Sequence, residues 1–199
     1  MTKSRATPNP VQPCPQPWHL RRATQILSAG GVIAYPTEAV YGLGCDPLDA
    51  TAVMRILELK QRPLEAGLIL IAADFSQLTS FLEPLTPAVQ RRVAATWPGP
   101  VTWLLPARPE VPLWLRGQHT TLAVRVTAHA GTAALCRSFG GALVSTSANP
   151  RGHEPARTST KVHQYFSDLI DYVLPGSLGR QRRPSEIRDG LSGAIVRGG

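Results

Sequence analysis

Aromatic residues are scarce: Phe, Trp and Tyr together make up 6% of the 199 positions. A protein that holds single-stranded nucleic acid by stacking its bases needs more rings than this, so that class is disfavoured. Cysteine is scarcer still, with only Cys14, Cys45 and Cys136. Their number is odd and their spacing wide, which suits neither a disulfide framework nor a CxxC metal pair, and reduced thiols in a cytoplasmic protein are expected. No stretch approaches the roughly 20 consecutive apolar residues of a membrane span, and the first residues lack an apolar signal core, so neither a membrane location nor export is expected. The usual catalytic signatures are also missing: there is no GxxxxGK[ST] loop, GxGxxG fingerprint, HExxH helix or GxSxG elbow. His19, His119, His129, His153 and His163 are scattered, and no set of metal ligands is expected. Nucleotide chemistry in this chain would therefore need a less familiar phosphate site.

Acidic residues are outnumbered, 13 against 21 lysines and arginines, for a net charge of +8. Lys3, Lys60 and Lys161 are the only lysines, so the excess is carried by arginine. Such a balance suits polyanionic partners, whether nucleotide phosphates or RNA, and it equally describes the solvated surface of an arginine-rich protein. Hydrophobic residues at 43% supply a core, and the length fits one α/β domain. Residues 1–17, with Pro8, Pro10, Pro13, Pro15 and Pro17, read as a disordered tail, leaving 18–199 as the domain.

Within that domain the apolar spacing predicts helices over residues 20–29, 50–61, 87–96, 131–139 and 158–169. Asp49 and Thr86 are their natural caps where those residues precede a helix, and Pro87 suits a first helical position. Short apolar runs at 32–35, 67–72, 101–105, 121–126, 142–146, 172–174 and 194–196 read as strands. Strands alternating with helices indicate a layered α/β fold.

Four segments are polar in a specific way. Pro36-Thr37-Glu38-Ala39-Val40-Tyr41-Gly42-Leu43-Gly44-Cys45 places a hydroxyl and a carboxylate at a strand end, beside glycines that let backbone approach a ligand. Alone it reads first as a glycine turn with a capping threonine. Lys60-Gln61-Arg62-Pro63 ends a helix with two cations that the proline stop lets swing toward one cleft, or that simply compensate the helix dipole. Ser145-Thr146-Ser147-Ala148-Asn149 gathers hydroxyls and an amide at a strand exit, a donor set for phosphate, carboxylate or ribose oxygens, or else an ST-turn. Pro184 to Gly190, preceded by Arg180, Arg182 and Arg183 and followed by Arg197, is either a solvated face or an arginine-rich phosphate contact.

Taken in order with Ala123-Val124-Arg125, these segments closely resemble the YrdC-like family, and within it the short bacterial members, over roughly residues 20–199. The resemblance implies a single α/β domain, with a twisted mixed or parallel sheet flanked by helices and an open, basic concave face. It implies an enzyme, a nucleotidyltransferase that condenses L-threonine, bicarbonate or CO2, and ATP into threonylcarbamoyl-AMP and pyrophosphate. The product would serve N6-threonylcarbamoyladenosine formation at position 37 of tRNAs reading ANN codons, through a partner threonylcarbamoyl-transferase complex. By motif position Thr37, Thr121, Ser145 and Ser185 are expected at the threonine. Lys60, Arg62, Ser147, Asn149, Arg157 and Arg197 are expected at the nucleotide, with Lys60 and Arg62 catalytic through charge and Mg²⁺ arriving on the phosphates. Where the family commonly continues Ser-Ala-Asn with an apolar residue, serine and glycine, this chain has Pro150-Arg151-Gly152, which changes the donors of that loop. The basic composition also admits a second class, a non-catalytic module that binds double-stranded RNA or rRNA directly by shape and charge.

Overall fold

Helix starts follow the capping residues that the chain offers. The computed structural model describes residues 14–198. Its elements run α1 (Pro17–Ser28), β1 (Ile33–Pro36), β2 (Tyr41–Gly44), α2 (Ala50–Lys60), β3 (Ile69–Ala72), α3 (Pro87–Ala94), β4 (Val101–Pro106), α4 (Leu113–Arg116), β5 (Thr121–Val126), α5 (Ala130–Phe139), β6 (Leu143–Ser147), α6 (Ser159–Phe166), β7 (Tyr172–Val173), β8 (Glu186–Asp189) and β9 (Ile195–Arg197). Asp49 accepts from Ala52 N at 3.0 Å, Thr86 from Val89 N at 3.4 Å and Thr158 from Lys161 N at 3.1 Å, each relieving an orphan N–H of a first turn. α1 starts at Pro17, three residues before the apolar spacing predicts, because proline's fixed φ and missing N–H suit the first helical position. Pro15 is buried, within reach of Gly131 of α5. The expected proline-rich tail therefore meets the domain before residue 17; its residues 1–13 lie outside the described residues. α6 stops at Phe166 instead of 169, since Ser167 turns to a positive φ of 38° and a short 3₁₀ turn follows.

The strands form one nine-stranded sheet in the order β7-β1-β2-β6-β3-β5-β4-β8-β9. Three pairings are parallel and five antiparallel, so the sheet is mixed. Two strands were not visible as apolar runs. β2 contains Gly42 and Gly44 and shows no alternation, yet it is flanked by β1 and β6 and fully buried. Gly44 is required there by close approach: a Cβ would meet Val144 O at 2.4 Å and Tyr35 Cε1 at 2.7 Å. β8, inside the charged C-terminal stretch, is half-buried through parallel pairing with β4.

Alternation of side chains divides the core between the two faces of the sheet. Ile33, Tyr35, Ile71 and Leu143 pack beneath α1 and α5 against Ala23, Leu27, Ala133 and Leu135. Ala34, Leu43, Leu70, Val124 and Val144 face the other way, with Ile56 of α2, Val93 of α3, Leu115 of α4 and Phe166 of α6. The consequential feature is what α1 and α5 leave uncovered. Ile69, paired with both Ala123 and Ser145, and Arg125, paired with Ile71, share the α1/α5 face by alternation. These positions line an open cleft. Among the described residues, no helix is long and apolar enough to cross a membrane.

Candidate active site

The cleft has a volume of about 840 Å³, and its walls come from all the polar segments of the sequence. Thr37 and Glu38 follow β1, Lys60 ends α2 with Arg62 just beyond it, Thr121 and Arg125 lie on β5, Ser145 and Ser147 on β6, Ser185 precedes β8 and Arg197 ends β9. Among the described residues lining it, Lys60, Arg62, Arg116, Arg125, Arg151, Arg183 and Arg197 are basic and Glu38 alone is acidic.

The end of α2 explains how both its cations reach one place. Gln61 adopts a left-handed conformation at φ 48°, and Arg62 N bonds back to Leu57 O at 2.9 Å, a C-cap that reverses the chain. Lys60 then points under the exit of β6, where its Nζ donates to Ser147 O at 2.5 Å, Asn149 O at 2.8 Å and Asn149 Oδ1 at 3.3 Å. An ammonium has three N–H groups, and all three are engaged. Burial lowers the Lys60 pKa to about 8, with Arg62 adding repulsion. Arg62 donates from Nε to Gly67 O and from Nη2 to Ala66 O, both at 3.0 Å, which braces the opposite wall. Its pKa is lowered by burial and then by Arg197.

The loop after β6 is equally occupied with itself. Ser147 Oγ donates to Asn149 Oδ1 at 2.6 Å, while Asn149 Nδ2 donates to Pro150 O at 3.1 Å and His153 O at 2.7 Å. The Pro150-Arg151-Gly152 departure is accommodated here: Pro150 contributes its carbonyl, Gly152 takes a left-handed φ of 79°, and Arg151 is presented to the cleft. Asn149 and Ser147 thus organise the loop through their side chains. Arg157, expected beside the phosphates, is not among the residues lining the cleft. Ala156 is stitched to Tyr41 and Ala148 through its backbone, and the next residue emerges at the surface with Nη1 on Arg182 O at 3.4 Å.

At the threonine side, Thr37 Oγ1 donates to Val40 O at 2.7 Å, so toward a ligand this hydroxyl can only accept. Ser185 Oγ shares a hydrogen bond with Thr102 Oγ1 at 3.0 Å. Sequence reasoning assigns no role to Arg125, although a guanidinium between Val124 and Val126 in a buried strand is a signal, since a buried charge needs a partner. That partner is Glu38, with Oε2 at 3.3 Å from Nη2. Arg125 is 7% exposed and Glu38 6%. Glu38 Oε1 accepts from Thr127 Oγ1 at 2.6 Å and Ala128 N at 3.2 Å, while Oε2 and Arg125 Nε have no hydrogen-bond partner.

Behind this pair stands His129, the N-cap of α5. Its Nδ1 accepts from Thr132 N at 3.1 Å, and its Nε2 is 2.9 Å from Ser177 O, which fixes the Nε2–H tautomer. Burial is the main cause of its lowered pKa.

A family model for Sua5, YciO and YrdC proteins, described as telomere recombination, matches residues 25–199. The threonylcarbamoyl-AMP synthase of Nitrosococcus oceani is 58% identical over 184 residues, covering 92% of this chain and 99% of the relative. That of Halorhodospira halophila is 54% identical over 189 residues, covering 95% and 99%. Among solved structures, Escherichia coli YciO superposes with a TM-score of 0.83 at 27% identity, over 94% of this chain and 91% of that one. P. abyssi Sua5 complexed with L-threonine superposes with a TM-score of 0.82 at 33% identity, over 87% of this chain, which spans about half (51%) of that longer one.

Proposed function

The chain belongs to the Sua5/YciO/YrdC family, and we propose from that membership that it condenses L-threonine, bicarbonate or CO2, and ATP into threonylcarbamoyl-AMP, releasing pyrophosphate. The observation that carries the reading is the gathering of Lys60, Arg62, Ser147 and Arg197 around one cleft with Thr37 and Ser145. Threonine's amine captures CO2 as a carbamate, and a carbamate oxygen attacks the α-phosphorus as pyrophosphate leaves. Both reactants are anionic, so their approach is opposed by Coulomb repulsion unless fixed cations offset it. Lys60, held by three acceptors, is such a fixed charge beneath the nucleotide loop, and Arg62 and Arg197 stand at its side.

Arg125 supports the placement of threonine. Its charge is buried, its Nε lacks a partner and it faces the cleft, which is the chemistry of a carboxylate receptor. Thr37, limited to accepting, suits the substrate's hydroxyl or amine, and Thr121, Ser145 and Ser185 complete that side. Asn149 acts through the loop it orders; Arg157 is assigned no contact. The hydroxyls orient and do not ionise, so no covalent enzyme intermediate forms. Glu38, the one carboxylate among the described residues of the wall, is taken by Arg125, Thr127 and Ala128. Mg²⁺ therefore enters as the counter-ion of the ATP substrate, with its ligands supplied by the phosphates. The product passes to a transferase complex that modifies adenosine 37 of ANN-reading tRNAs in the cytoplasm.

The test is pyrophosphate release from ATP and bicarbonate with and without L-threonine. Release that depends on threonine is expected; release indifferent to it overturns the assignment.

A further inference from the structure

Burying an ion pair rarely stabilises a fold, because the desolvation of both charges matches or exceeds their attraction. A pair kept for stability alone would at least have its remaining lone pairs and protons satisfied. The pair in the cleft wall does not: Glu38 Oε2 and Arg125 Nε are both buried without a hydrogen-bond partner. The two residues are nevertheless held unequally. Glu38 is gripped at its backbone and at Oε1. Gly179 N bonds to the carbonyl of the preceding Thr37 at 2.8 Å, Gln181 N bonds to the carbonyl of Glu38 itself at 3.1 Å, and Thr127 Oγ1 and Ala128 N fix Oε1. Thr127 Oγ1 in turn accepts from His129 N at 3.1 Å, which ties the arrangement to the start of α5. Arg125 has no such frame, and among the described residues its one polar side-chain contact is Glu38 Oε2 at 3.3 Å. The direction in which this guanidinium presents its donors is therefore set by the carboxylate beside it.

We propose that Glu38 is a positioning residue: its carboxylate, locked at the exit of β1 by donors from the exit of β5, aims the Arg125 guanidinium at the carboxylate of the amino-acid substrate. The proposal rests on the functional reading above, in which Arg125 receives threonine. Glu38 acts through Arg125: its Oε1 is taken by Thr127 Oγ1 and Ala128 N, and its Oε2 is buried beside Arg125 Nη2. Its charge also leaves the Arg125 end of the cleft close to neutral. A single carboxylate fits there, while the polyphosphate is drawn to the Lys60, Arg62 and Arg197 end.

The experiment compares kcat/KM for L-threonine and KM for ATP, by pyrophosphate release, in the wild type, Glu38→Gln, Arg125→Ala and the double variant. Glutamine keeps an oxygen for Thr127 and Ala128 and replaces the charged acceptor beside Arg125 with a neutral amide NH2 group. Glu38→Gln is expected to lower kcat/KM for threonine about tenfold, the scale on which groups that orient a ligand-binding side chain act, and to leave KM for ATP within about twofold. In the Arg125→Ala background the same change is expected to cost nothing further, because its effect passes through the missing side chain. A threonine parameter equal to wild type, an equal loss in both backgrounds, or parallel losses for ATP and threonine overturns the proposal. Should Glu38→Gln not fold, Thr127→Val carries the test: it removes the shorter of the two hydrogen bonds to Oε1 without removing a charge, and an unchanged kcat/KM for threonine overturns the proposal. If the wild type turns over ATP without needing threonine, the functional reading has failed and this inference falls with it; a threonine-dependent wild type with an indifferent Glu38→Gln sinks the inference alone.

Discussion

Lys60 offers three N–H groups, and the fold presents an acceptor to each, so this side chain acts in two ways at once. It fastens the end of α2 to the loop after β6, and it leaves a positive charge under that loop. Lys60→Ala removes both, and pyrophosphate release should fall about 10²–10³-fold, as when one preorganised electrostatic group is deleted. The same residue predicts a pH dependence. Its pKa lies near 8 in the fold against 10.5 ordinarily, so above about pH 8 the folded protein loses this proton while the unfolded chain still holds it. Two consequences have opposite sign: activity declines as pH rises through about 8, while the contribution of this group to stability rises between about 8 and 10.5. The polyphosphate of ATP favours the charged form, so ATP binding near pH 8 should take up protons. Calorimetry in buffers of different ionisation enthalpy measures that uptake, and proton release would contradict the role given to Lys60.

Among the elements, β2 is the least legible in the sequence and the most constrained in the structure. Gly42 and Gly44 carry no pattern, but pairing on both sides leaves no space above Gly44. Gly44→Ala must displace Val144 or Tyr35, and a loss of about 1–3 kcal/mol or more in denaturant unfolding is expected, as for other overpacked sites. The start of α5 carries a second prediction. His129 caps it while neutral, and protonating Nδ1 removes the acceptor for Thr132 N. Glu38 and Arg125 both act on its charge, and burial dominates, holding the pKa below the ordinary 6.5. The unfolded chain then binds the proton more readily, so this group's stabilisation is complete above about pH 6.5 and lost as pH falls below it. Tm of the wild type should fall more steeply on acidification than that of His129→Asn, which keeps a capping oxygen without titrating. Most helices and seven of the nine strands were legible because caps, prolines and apolar runs act within a few residues. β2 and β8 were not, because pairing with distant strands alone makes them strands.

For the whole molecule, the decisive fact is that α1 and α5 cover only part of their face of the sheet. The uncovered part is the cleft, and the excess of basic charge collects along its walls. Exposed cations such as Arg151, Arg183 and Arg197 are screened by salt within a Debye length of about 8 Å at physiological ionic strength, whereas the buried Arg125 is screened far less. Raising the salt should therefore increase KM for ATP more than KM for L-threonine; equal increases would contradict this division of the cleft.

The sequence by itself determined the layered α/β class, most caps and strands, and the polar segments whose order resembles one family. Those properties reside in short windows of chain. The tertiary structure alone decided that Lys60 and Asn149 are engaged with a loop, that Arg157 lies outside the cleft and that Arg125 and Glu38 form its buried pair. Each depends on partners far away in the chain, as Lys60 depends on Ser147 and Glu38 on Thr127. Hydrogen-bonding capacity and burial are settled by what the fold brings within about 3 Å of a side chain, and no local pattern of residues encodes that distance.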